Sequence, residues 1–297
     1  MKDDIILEVK NLKQHFQLRK DYTVKAVDGI SFEIKKGEVF GIVGESGSGK
    51  STVARTIMGV YPPTEGEIWF KNRKISDKKK SAVDKKDMQK NMQIIFQDSA
   101  AALNPRMTVE DIIAEPAVVS HTWKTKKQIH EEVGKLLYYV GLDTSYGDKY
   151  PNELSGGQRQ RVAIARSISV KPDLILADEP IASLDISIQA QIINLFYHLK
   201  QDHQSTFLFI AHDLSVVRYI SDRIAVMYRG KIVEMGRTED VFHNPLHAYT
   251  KSLLSAIPVP DPIFERNKKL LEFEEVLQQD NGEMKDYGNG HLVYVNV

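Results

Sequence analysis

The 297-residue chain contains no cysteine. This absence excludes a disulfide, a thiolate metal site, an iron–sulfur cluster and a cysteine nucleophile. Long hydrophobic runs are missing as well, because stretches such as 174–177 and 207–211 are far shorter than the roughly 18 residues that cross a bilayer. We therefore expect chemistry based on oxygen and nitrogen groups, and any membrane role would need membrane segments from another chain.

The chain also lacks a net charge, since 40 Lys and Arg residues balance 40 Asp and Glu residues. No polycationic field is available to hold DNA, RNA or anionic lipid. Charge is nevertheless segregated: residues 71–90 carry nine basic and three acidic side chains, and residues 261–297 carry four basic and eight acidic ones. We interpret the basic run as a solvated connection, with anion binding as the alternative, and the acidic tail as a poor candidate for core structure.

The order of apolar segments predicts an α/β fold. Residues 5–9 and 30–34 are rich in β-branched and aromatic types, which predicts an N-terminal antiparallel sheet. Short apolar runs at 39–43, 92–96, 174–177 and 207–210 are typical of buried parallel strands. Helical spacing within 108–142 predicts a helical insertion between two parts of this doubly wound core. With 42% hydrophobic residues the chain can bury such a core, and we find no internal repeat that would indicate two nucleotide-binding halves.

A glycine-rich loop after the run 39–43 carries the strongest motif. It matches G-x-x-x-x-G-K-[ST] and is followed by a helical segment, which is the context this motif requires. Its backbone N–H groups would surround phosphate oxygens, Lys50 would add a positive charge near the β and γ phosphates, and Ser51 would give an oxygen to magnesium. A plain Gly/Ser turn is the alternative, but it does not explain Lys50 and Ser51. The predicted nucleotide-binding residues here are Gly44, Glu45, Ser46, Gly47, Ser48, Gly49, Lys50, Ser51 and Thr52.

Two acidic residues, Asp178 and Glu179, follow the apolar run 174–177. The chain bends at the end of a strand, so both carboxylates can face one site. We expect Asp178 to hold magnesium, directly or through water, and Glu179 to polarise the attacking water. A solvated surface pair is the alternative, and its position after a buried strand in a chain with a P-loop argues against it.

A second anion-binding pattern occurs at Ser155, Gly156, Gly157 and Gln158, which open a predicted helix. One nucleotide cannot easily use both sites. Together these motifs resemble the ATP-binding subunits of ABC transporters, whose signature is Leu-Ser-Gly-Gly-Gln. The resemblance implies a P-loop, RecA-like nucleotide-binding domain that dimerises head to tail, so that the signature of one chain closes on the γ-phosphate held by the other.

The resemblance also implies roles for single residues. Gln97 is similar to the glutamine that reaches magnesium and the attacking water, and His212 is similar to the switch histidine. Asp185 resembles the D-loop aspartate, although the usual Ser-Ala-Leu-Asp is Ala-Ser-Leu-Asp here. Phe16 matches the aromatic position that stacks on adenine, with Tyr22 as the second choice and a core role for Phe16 as the alternative.

Three further features indicate the transporter branch. About 128 residues separate Lys50 from Asp178, which leaves no room for the long coiled coil of chromosome-associated ATPases. A single cassette without a basic tail fits poorly with ribosome-bound relatives. Residues 96–98, 103–109, 241–250 and 253–258 resemble the ATPases of oligopeptide and dipeptide permeases, although the usual His-Pro-Tyr is His-Ala-Tyr at 247–249. This resemblance covers about residues 5–270.

The resemblance implies that two unlike ATPase subunits work together, one of which can carry a cysteine-ligated cluster. A chain without cysteine resembles the cluster-free, F-type member. Its partners would be a D-type ATPase subunit, two transmembrane permease subunits and an extracytoplasmic peptide-binding protein, with no nucleic acid. We expect residues 1–240 to form the ATPase domain, with a helical subdomain at about 98–160, and residues 241–297 to form a C-terminal extension.

The predicted function is MgATP-driven import of oligopeptides or dipeptides by a subunit on the cytoplasmic side of the cell membrane. The N-terminal sequence Met-Lys-Asp-Asp shows no signal peptide, in keeping with this location. Nickel or glutathione import is an alternative, as is a soluble ABC-type ATPase that acts on nucleic acid or ribosomes. A subunit that binds ATP mainly to regulate its sibling is disfavoured, because every catalytic position is filled.

Overall fold

The computed structural model describes residues 4–77, 82–203, 205–258, 266, 268, 270, 271, 273 and 282–296, with the backbone alone for 82–86 and 203. The strands are β1 Ile5–Arg19, β2 Tyr22–Lys35, β3 Val39–Val43, β4 Glu65–Phe70, β5 Arg73–Lys74, β6 Met92–Ile95, β7 Leu174–Asp178, β8 Thr206–Ala211, β9 Arg223–Tyr228, β10 Lys231–Arg237, β11 Gly282–Asp286 and β12 Leu292–Asn296. The helices are α1 Lys50–Ile57, α2 Ala82–Asn91, α3 Ser99–Ala102, α4 Val109–Val119, α5 Lys126–Tyr139, α6 Gly156–Ile168, α7 Ile186–His203, α8 Leu214–Ile220, α9 Thr238–His243 and α10 Ala248–Ser255. No helix among these residues is long and apolar enough to span a bilayer.

The core of the molecule is a mixed sheet with the order β11-β12-β10-β9-β3-β8-β7-β6 across the described residues. Strands β3, β6, β7, β8 and β9 run parallel, and every residue of β3, β7 and β8 is buried. Burial on both faces explains why these strands have continuous apolar sequences. Because parallel strands end at the same edge of a sheet, the P-loop after β3, Asp178 at the end of β7 and His212 after β8 come together.

A second, antiparallel sheet has the order β2-β1-β4-β5 within the described chain. Strands β1 and β2 pair along most of their length, with several register shifts. One face is buried through residues such as Leu7, Val9 and Leu12. The predicted N-terminal sheet is therefore present, and its strands are much longer than the predicted runs 5–9 and 30–34.

Helices fill the chain between β6 and β7. Helix α4 packs against α5 and α6, and its apolar residues join the core beneath the parallel sheet. Side chains cap four of these helices at their N-termini, namely Asp98 for α3, Thr108 for α4, Thr125 for α5 and Ser155 for α6. Each capping oxygen accepts a backbone N–H that the helix itself leaves unpaired. The insertion thus places the N-terminus of α6 at a defined position beside the α/β core.

The prediction for the acidic tail is wrong for residues 282–296. This segment forms a hairpin whose strand β12 pairs with β10 and thereby extends the core sheet. Val293 and His291 are buried, whereas the acidic Glu283 and Asp286 lie on the exposed edge strand β11. The charged side chains of this hairpin face solvent. The acidic average over residues 261–297 therefore did not indicate that part of the hairpin is buried.

The predicted connection at 71–90 also contains regular structure, although residues 78–81 lie outside the described part. It includes β5 and the helix α2. Three of its basic residues form ion pairs with carboxylates: Lys71 with Asp173, Arg73 with Asp87, and Lys74 with Glu67.

Candidate nucleotide-binding site

The glycine-rich loop runs from the end of β3 to the first residue of α1, as the sequence predicted. Two of its glycines have positive φ and approach other backbone closely: a Cβ on Gly44 would lie 2.2 Å from the carbonyl oxygen of Met227, and one on Gly49 would lie 2.1 Å from that of Ala26. No other residue type fits these positions without displacing the backbone. The loop amides and the N-terminus of α1 form a cradle suited to an anion.

Lys50 is buried at the base of this loop. Its ammonium group donates hydrogen bonds to the carbonyl oxygens of Gly44 and Glu45, both at 2.8 Å, and lies 3.9 Å from Oε1 of Glu179. Burial lowers the pKa of Lys50 below its ordinary value, while Glu179 and Asp178 oppose this shift. The amine is thus held at the loop with few alternative orientations.

Asp178 is fully buried at the end of β7. The hydroxyl of Ser51 donates to its Oδ1 at 2.7 Å, whereas its Oδ2 has no hydrogen-bond partner and lies 3.9 Å from the guanidinium of Arg55. Burial is the main cause that raises the pKa of Asp178. A hydroxyl beside an unpartnered carboxylate oxygen is a donor set that suits Mg²⁺, which prefers oxygen ligands and keeps several waters or phosphate oxygens.

The carboxylate of Glu179 contacts two other predicted catalytic residues, Gln97 and His212. Its Oε2 accepts a hydrogen bond from Nε2 of Gln97 at 3.0 Å and lies 3.3 Å from Nδ1 of His212. These residues follow β6, β7 and β8, so the sheet itself brings them together. Glu179 also has a φ of +48°, which is rare for a residue with a side chain and is typical of strained functional positions.

A cavity of about 710 Å³ opens over these groups. Its walls include Ser46, Gly47, Gly49, Lys50, Ser51 and Thr52 of the loop together with Gln97, Glu179 and His212. Ala182, the first residue of the D-loop-like Ala-Ser-Leu-Asp, also lines the cavity, and the remaining wall comes from residues that the sequence did not predict: Val24, Lys25 and Ala26 of β2 and the turn residues Arg229 and Gly230. Their sequence carries no motif, since they reach the cavity only through the packing of β2 and the β9–β10 turn on the loop.

The predicted adenine partner is not among these walls. Phe16 is partly buried, and its ring meets that of Tyr61 edge to face at a centroid distance of 5.2 Å. Its cross-strand neighbour Val24 lines the cavity instead. The second choice, Tyr22, is 57% exposed and also lies outside the lining.

The predicted signature residues lie apart from this cavity. Ser155 caps α6: its Oγ accepts the N–H of Gln158 at 3.3 Å, and the Gln158 side chain accepts the N–H of Ser155 at 2.8 Å. A Cβ on Gly157 would lie 2.6 Å from a methyl carbon of Ile188, whereas Gly156 has more space. None of Ser155, Gly156, Gly157 and Gln158 lines the cavity.

Asp185 likewise lies outside the lining and caps the start of α7. Its Oδ1 accepts the Ser187 hydroxyl at 2.7 Å and the N–H of Ile188 at 3.0 Å. The Ser187 hydrogen bond is the main cause that lowers the pKa of Asp185. Apart from Phe16, the predicted site residues therefore form two sets, one around the loop and one at the starts of α6 and α7.

A buried strand, a glycine-rich loop that leads into a helix, and an Asp-Glu pair on a neighbouring parallel strand define a P-loop nucleotide-binding protein. Residues 27–182 match the family model of ABC transporters, and residues 233–281 match the model of the oligopeptide/dipeptide transporter C-terminal region. The chain therefore belongs to the ABC transporter family, which confirms the resemblance inferred from its motifs.

Relatives match over nearly the whole chain. The chain is 50% identical over 292 residues to the oligopeptide transport ATP-binding protein OppF of Bacillus subtilis (strain 168), a match that covers 97% of this chain and 95% of OppF. It is 46% identical over 293 residues to the dipeptide transport ATP-binding protein DppF of Lactococcus lactis subsp. cremoris (strain MG1363), with 97% and 93% covered.

Solved structures confirm the predicted α/β fold class. The ATP-binding cassette MJ0796, solved as a dimer in a post-hydrolysis state with ADP and Pi, superposes with a TM-score of 0.72 and 28% identity over 78% of this chain and 99% of that chain. CbiO1 from Clostridium perfringens, part of an ABC transporter complex, gives a TM-score of 0.70 at 29% identity over 81% and 92%.

Proposed function

We propose that this chain is an ATPase subunit that couples binding and hydrolysis of MgATP to the import of short peptides. The observation that carries the ATPase role is the Glu179 carboxylate, which Gln97 and His212 contact at the cavity that holds Lys50. The names of the relatives and the match of residues 233–281 support peptides as cargo over nickel or glutathione.

In this proposal the chain's own groups divide the work. The loop amides and Lys50 bind the phosphates and stabilise the charge that develops during phosphoryl transfer, where a single donor can be worth about 3 kcal/mol. Glu179 accepts a hydrogen bond from the attacking water and orients it, while Gln97 and His212 orient Glu179. Ser51, Asp178 and Gln97 would hold Mg²⁺, which when bound neutralises phosphate charge.

The second set of predicted residues supports a dimer. Ser155, Gly156, Gly157, Gln158 and Asp185 do not line this chain's own cavity. We assign them to the nucleotide site of a second, unlike ATPase subunit, which packs head to tail. Two transmembrane permease subunits and an extracytoplasmic peptide-binding protein would complete the importer, with this chain peripheral on the cytoplasmic side of the cell membrane. In the same proposal residues 1–240 are the ATPase domain, with the helical subdomain at 98–160, and 241–297 are the extension.

Replacing Glu179 by Gln tests the catalytic assignment. The amide keeps the shape of the side chain but cannot accept a proton, so turnover should fall at least about 100-fold while ATP affinity stays within about twofold. Steady-state phosphate release and equilibrium ATP binding would be measured on an assembled complex in which only this chain's site is competent for hydrolysis.

The control is Glu65→Gln, since Glu65 is exposed and pairs with Lys13 away from the cavity. It should match wild type in both measurements. Normal turnover by the Glu179→Gln complex would contradict the role of Glu179.

The cargo is tested separately by uptake. Cells that lack the chain should regain uptake of labelled oligopeptides with the wild-type gene and not with Lys50→Ala. Restored uptake of nickel or glutathione, but not of peptides, would show that the proposed cargo is wrong and would leave the ATPase role unaffected.

A further inference from the structure

The C-terminal extension reaches the glycine-rich loop through one side chain. Tyr249, near the start of α10, accepts a hydrogen bond at its hydroxyl oxygen from the backbone N–H of Glu45 at 3.2 Å. The tyrosine is only 2% exposed, and its ring lies against those of Tyr228 and Phe273 at centroid distances of 4.4 and 5.4 Å. A buried aromatic side chain thus ends on the first turn of the loop.

The segment that Tyr249 contacts also carries the Lys50 contacts. The carbonyl oxygens of Gly44 and Glu45 both accept the Lys50 ammonium, and Gly44 is packed against the backbone of Met227. The Tyr249 hydroxyl binds the N–H of Glu45, which belongs to the peptide unit whose carbonyl is that of Gly44. Two side chains therefore fix one peptide unit from opposite ends, one from inside the loop and one from the extension.

Tyr249 is itself positioned by a network of buried hydrogen bonds. Its backbone N–H donates to Nδ1 of His247 at 3.1 Å, and burial lowers the pKa of His247, which favours the neutral ring that can accept this bond. The fully buried Glu234 on β10 accepts the N–H groups of Leu246 and His247, both at 2.9 Å.

The same carboxylate joins the C-terminal hairpin to α10. Oε1 of Glu234 lies 2.7 Å from Nε2 of His291, the residue before β12. The hydrogen-bond network therefore runs from the hairpin through Glu234 and the turn before α10 to Tyr249 and the loop. A polar group as buried as Glu234 is costly unless each of its hydrogen bonds is made, so this arrangement is specific.

We propose that Tyr249 is a positioning residue of the phosphate-binding loop, through which the C-terminal extension sets the affinity for nucleotide. The proposal rests on the proposed ATP binding. The hydroxyl bond fixes the Gly44–Glu45 peptide before nucleotide arrives, so its loss allows the loop to sample other conformations, and ATP binding must then select the competent one. Burial raises the pKa of Tyr249 to about 12, so the hydroxyl stays neutral at working pH.

Tyr249→Phe is the direct test, because it removes the hydroxyl and keeps the packed ring. A typical hydrogen bond contributes about 0.5–1.5 kcal/mol, so the Kd for ATP should rise about three- to tenfold, with turnover at saturating ATP close to wild type. Hydrogen exchange of the Glu45 amide, measured on the full chain without nucleotide, should become faster.

Tyr294→Phe is a matched control in the same extension. Its hydroxyl also accepts a backbone N–H, that of Gly282 at 3.0 Å within the hairpin, and a hydrogen bond from Nζ of Lys231 on β10 at 3.2 Å, and neither bond involves the loop. The control should leave both the Kd and the Glu45 exchange rate unchanged. Glu234→Gln is a second variant, expected to weaken ATP binding in the same direction by loosening the turn before α10.

The outcomes separate the two proposals. Unchanged Kd and unchanged Glu45 exchange in Tyr249→Phe, with a wild-type chain that binds ATP, would overturn the positioning role. A wild-type chain that binds no ATP would instead contradict the proposed function, and faster Glu45 exchange in Tyr249→Phe would still support the contact. An equal loss of affinity in Tyr294→Phe would also overturn the proposal, because the effect would then be general to the extension.

Discussion

At the scale of single residues, the site contains charges that the fold alone does not favour. Burial raises the pKa of Asp178 and lowers that of Lys50, so in both residues it disfavours the charged form. Glu179 adds a strained backbone angle at the end of the same strand. Such features are retained at functional sites at the expense of stability.

Asp178→Asn should therefore stabilise the nucleotide-free protein at pH 7 while abolishing most ATPase activity. A carboxyl group whose folded pKa is raised keeps its proton to higher pH in the folded state than in the unfolded state. The wild-type protein thus loses stability relative to the variant as the pH rises from the pKa of Asp178 in the unfolded chain to its higher pKa in the folded protein. Thermal unfolding at a series of pH values should show a melting temperature advantage for Asp178→Asn at pH 7 that shrinks toward pH 4.

Asp173→Asn is the control for this change, since Asp173 is partly exposed and pairs with Lys71. It should show no such advantage. A lower melting temperature for Asp178→Asn than for wild type at pH 7 would mean that the carboxylate stabilises the apo fold.

At the scale of secondary structure, the sequence predicted the elements that carry the chemistry. Strands β3, β7 and β8 are short, continuous apolar runs, and burial on both faces of a parallel sheet produces that pattern. Because such strands end at one edge, the motifs after them could be placed together without coordinates. Phe16 could not be placed in this way, since which face of a long, irregular hairpin meets the cavity depends on its bulges.

The C-terminal hairpin was not predicted, although its sequence contains local signals for it. Its sequence contains Asn289-Gly290, a frequent turn signal, and a run of β-branched and aromatic residues at 293–295. The acidic average of residues 261–297 concealed this local pattern. The buried contact between Glu234 and His291 spans 57 positions of sequence, and no local signal indicates it.

Helix α6 carries an element-scale prediction, because Ser155 both caps the helix and belongs to the proposed signature. Ser155→Ala should cost about 1 kcal/mol of stability through the lost cap. It should also reduce hydrolysis at the P-loop of the partner subunit, while ATP binding at this chain's own P-loop stays unchanged. Hydrolysis at the partner's P-loop and ATP binding at this chain's P-loop can be measured in a complex in which only the partner's site is competent for hydrolysis.

Thr108→Ala separates the two effects, since Thr108 caps α4 through the same kind of bond to the N–H of Asp111. It should lose similar stability and retain hydrolysis. An equal loss of ATP binding at the chain's own P-loop in Ser155→Ala would count against the head-to-tail dimer.

At the scale of the whole molecule, the glycine-rich loop is contacted from three sides. The parallel core supplies the strand before it, the N-terminal sheet approaches it through Ala26, and the C-terminal extension binds it through Tyr249. Residues more than 200 positions apart therefore meet at one peptide unit. The lack of cysteine excludes thiolate chemistry, and the lack of net charge leaves no polycationic field. The position of the loop depends instead on these long-range contacts.

The buried contact between His291 and Glu234 contributes to the stability that the hairpin adds to the core. His291→Ala should leave the fully buried Glu234 without its histidine partner, while the two backbone N–H groups still bind it. Loss of one partner of a buried charged group costs about 1–3 kcal/mol, so the free energy of unfolding in urea should fall by that amount. Lys285→Ala on the exposed strand β11 is the control and should change it by less than about 0.5 kcal/mol. A His291→Ala variant as stable as this control would show that β12 pairs with β10 without help from the buried contact.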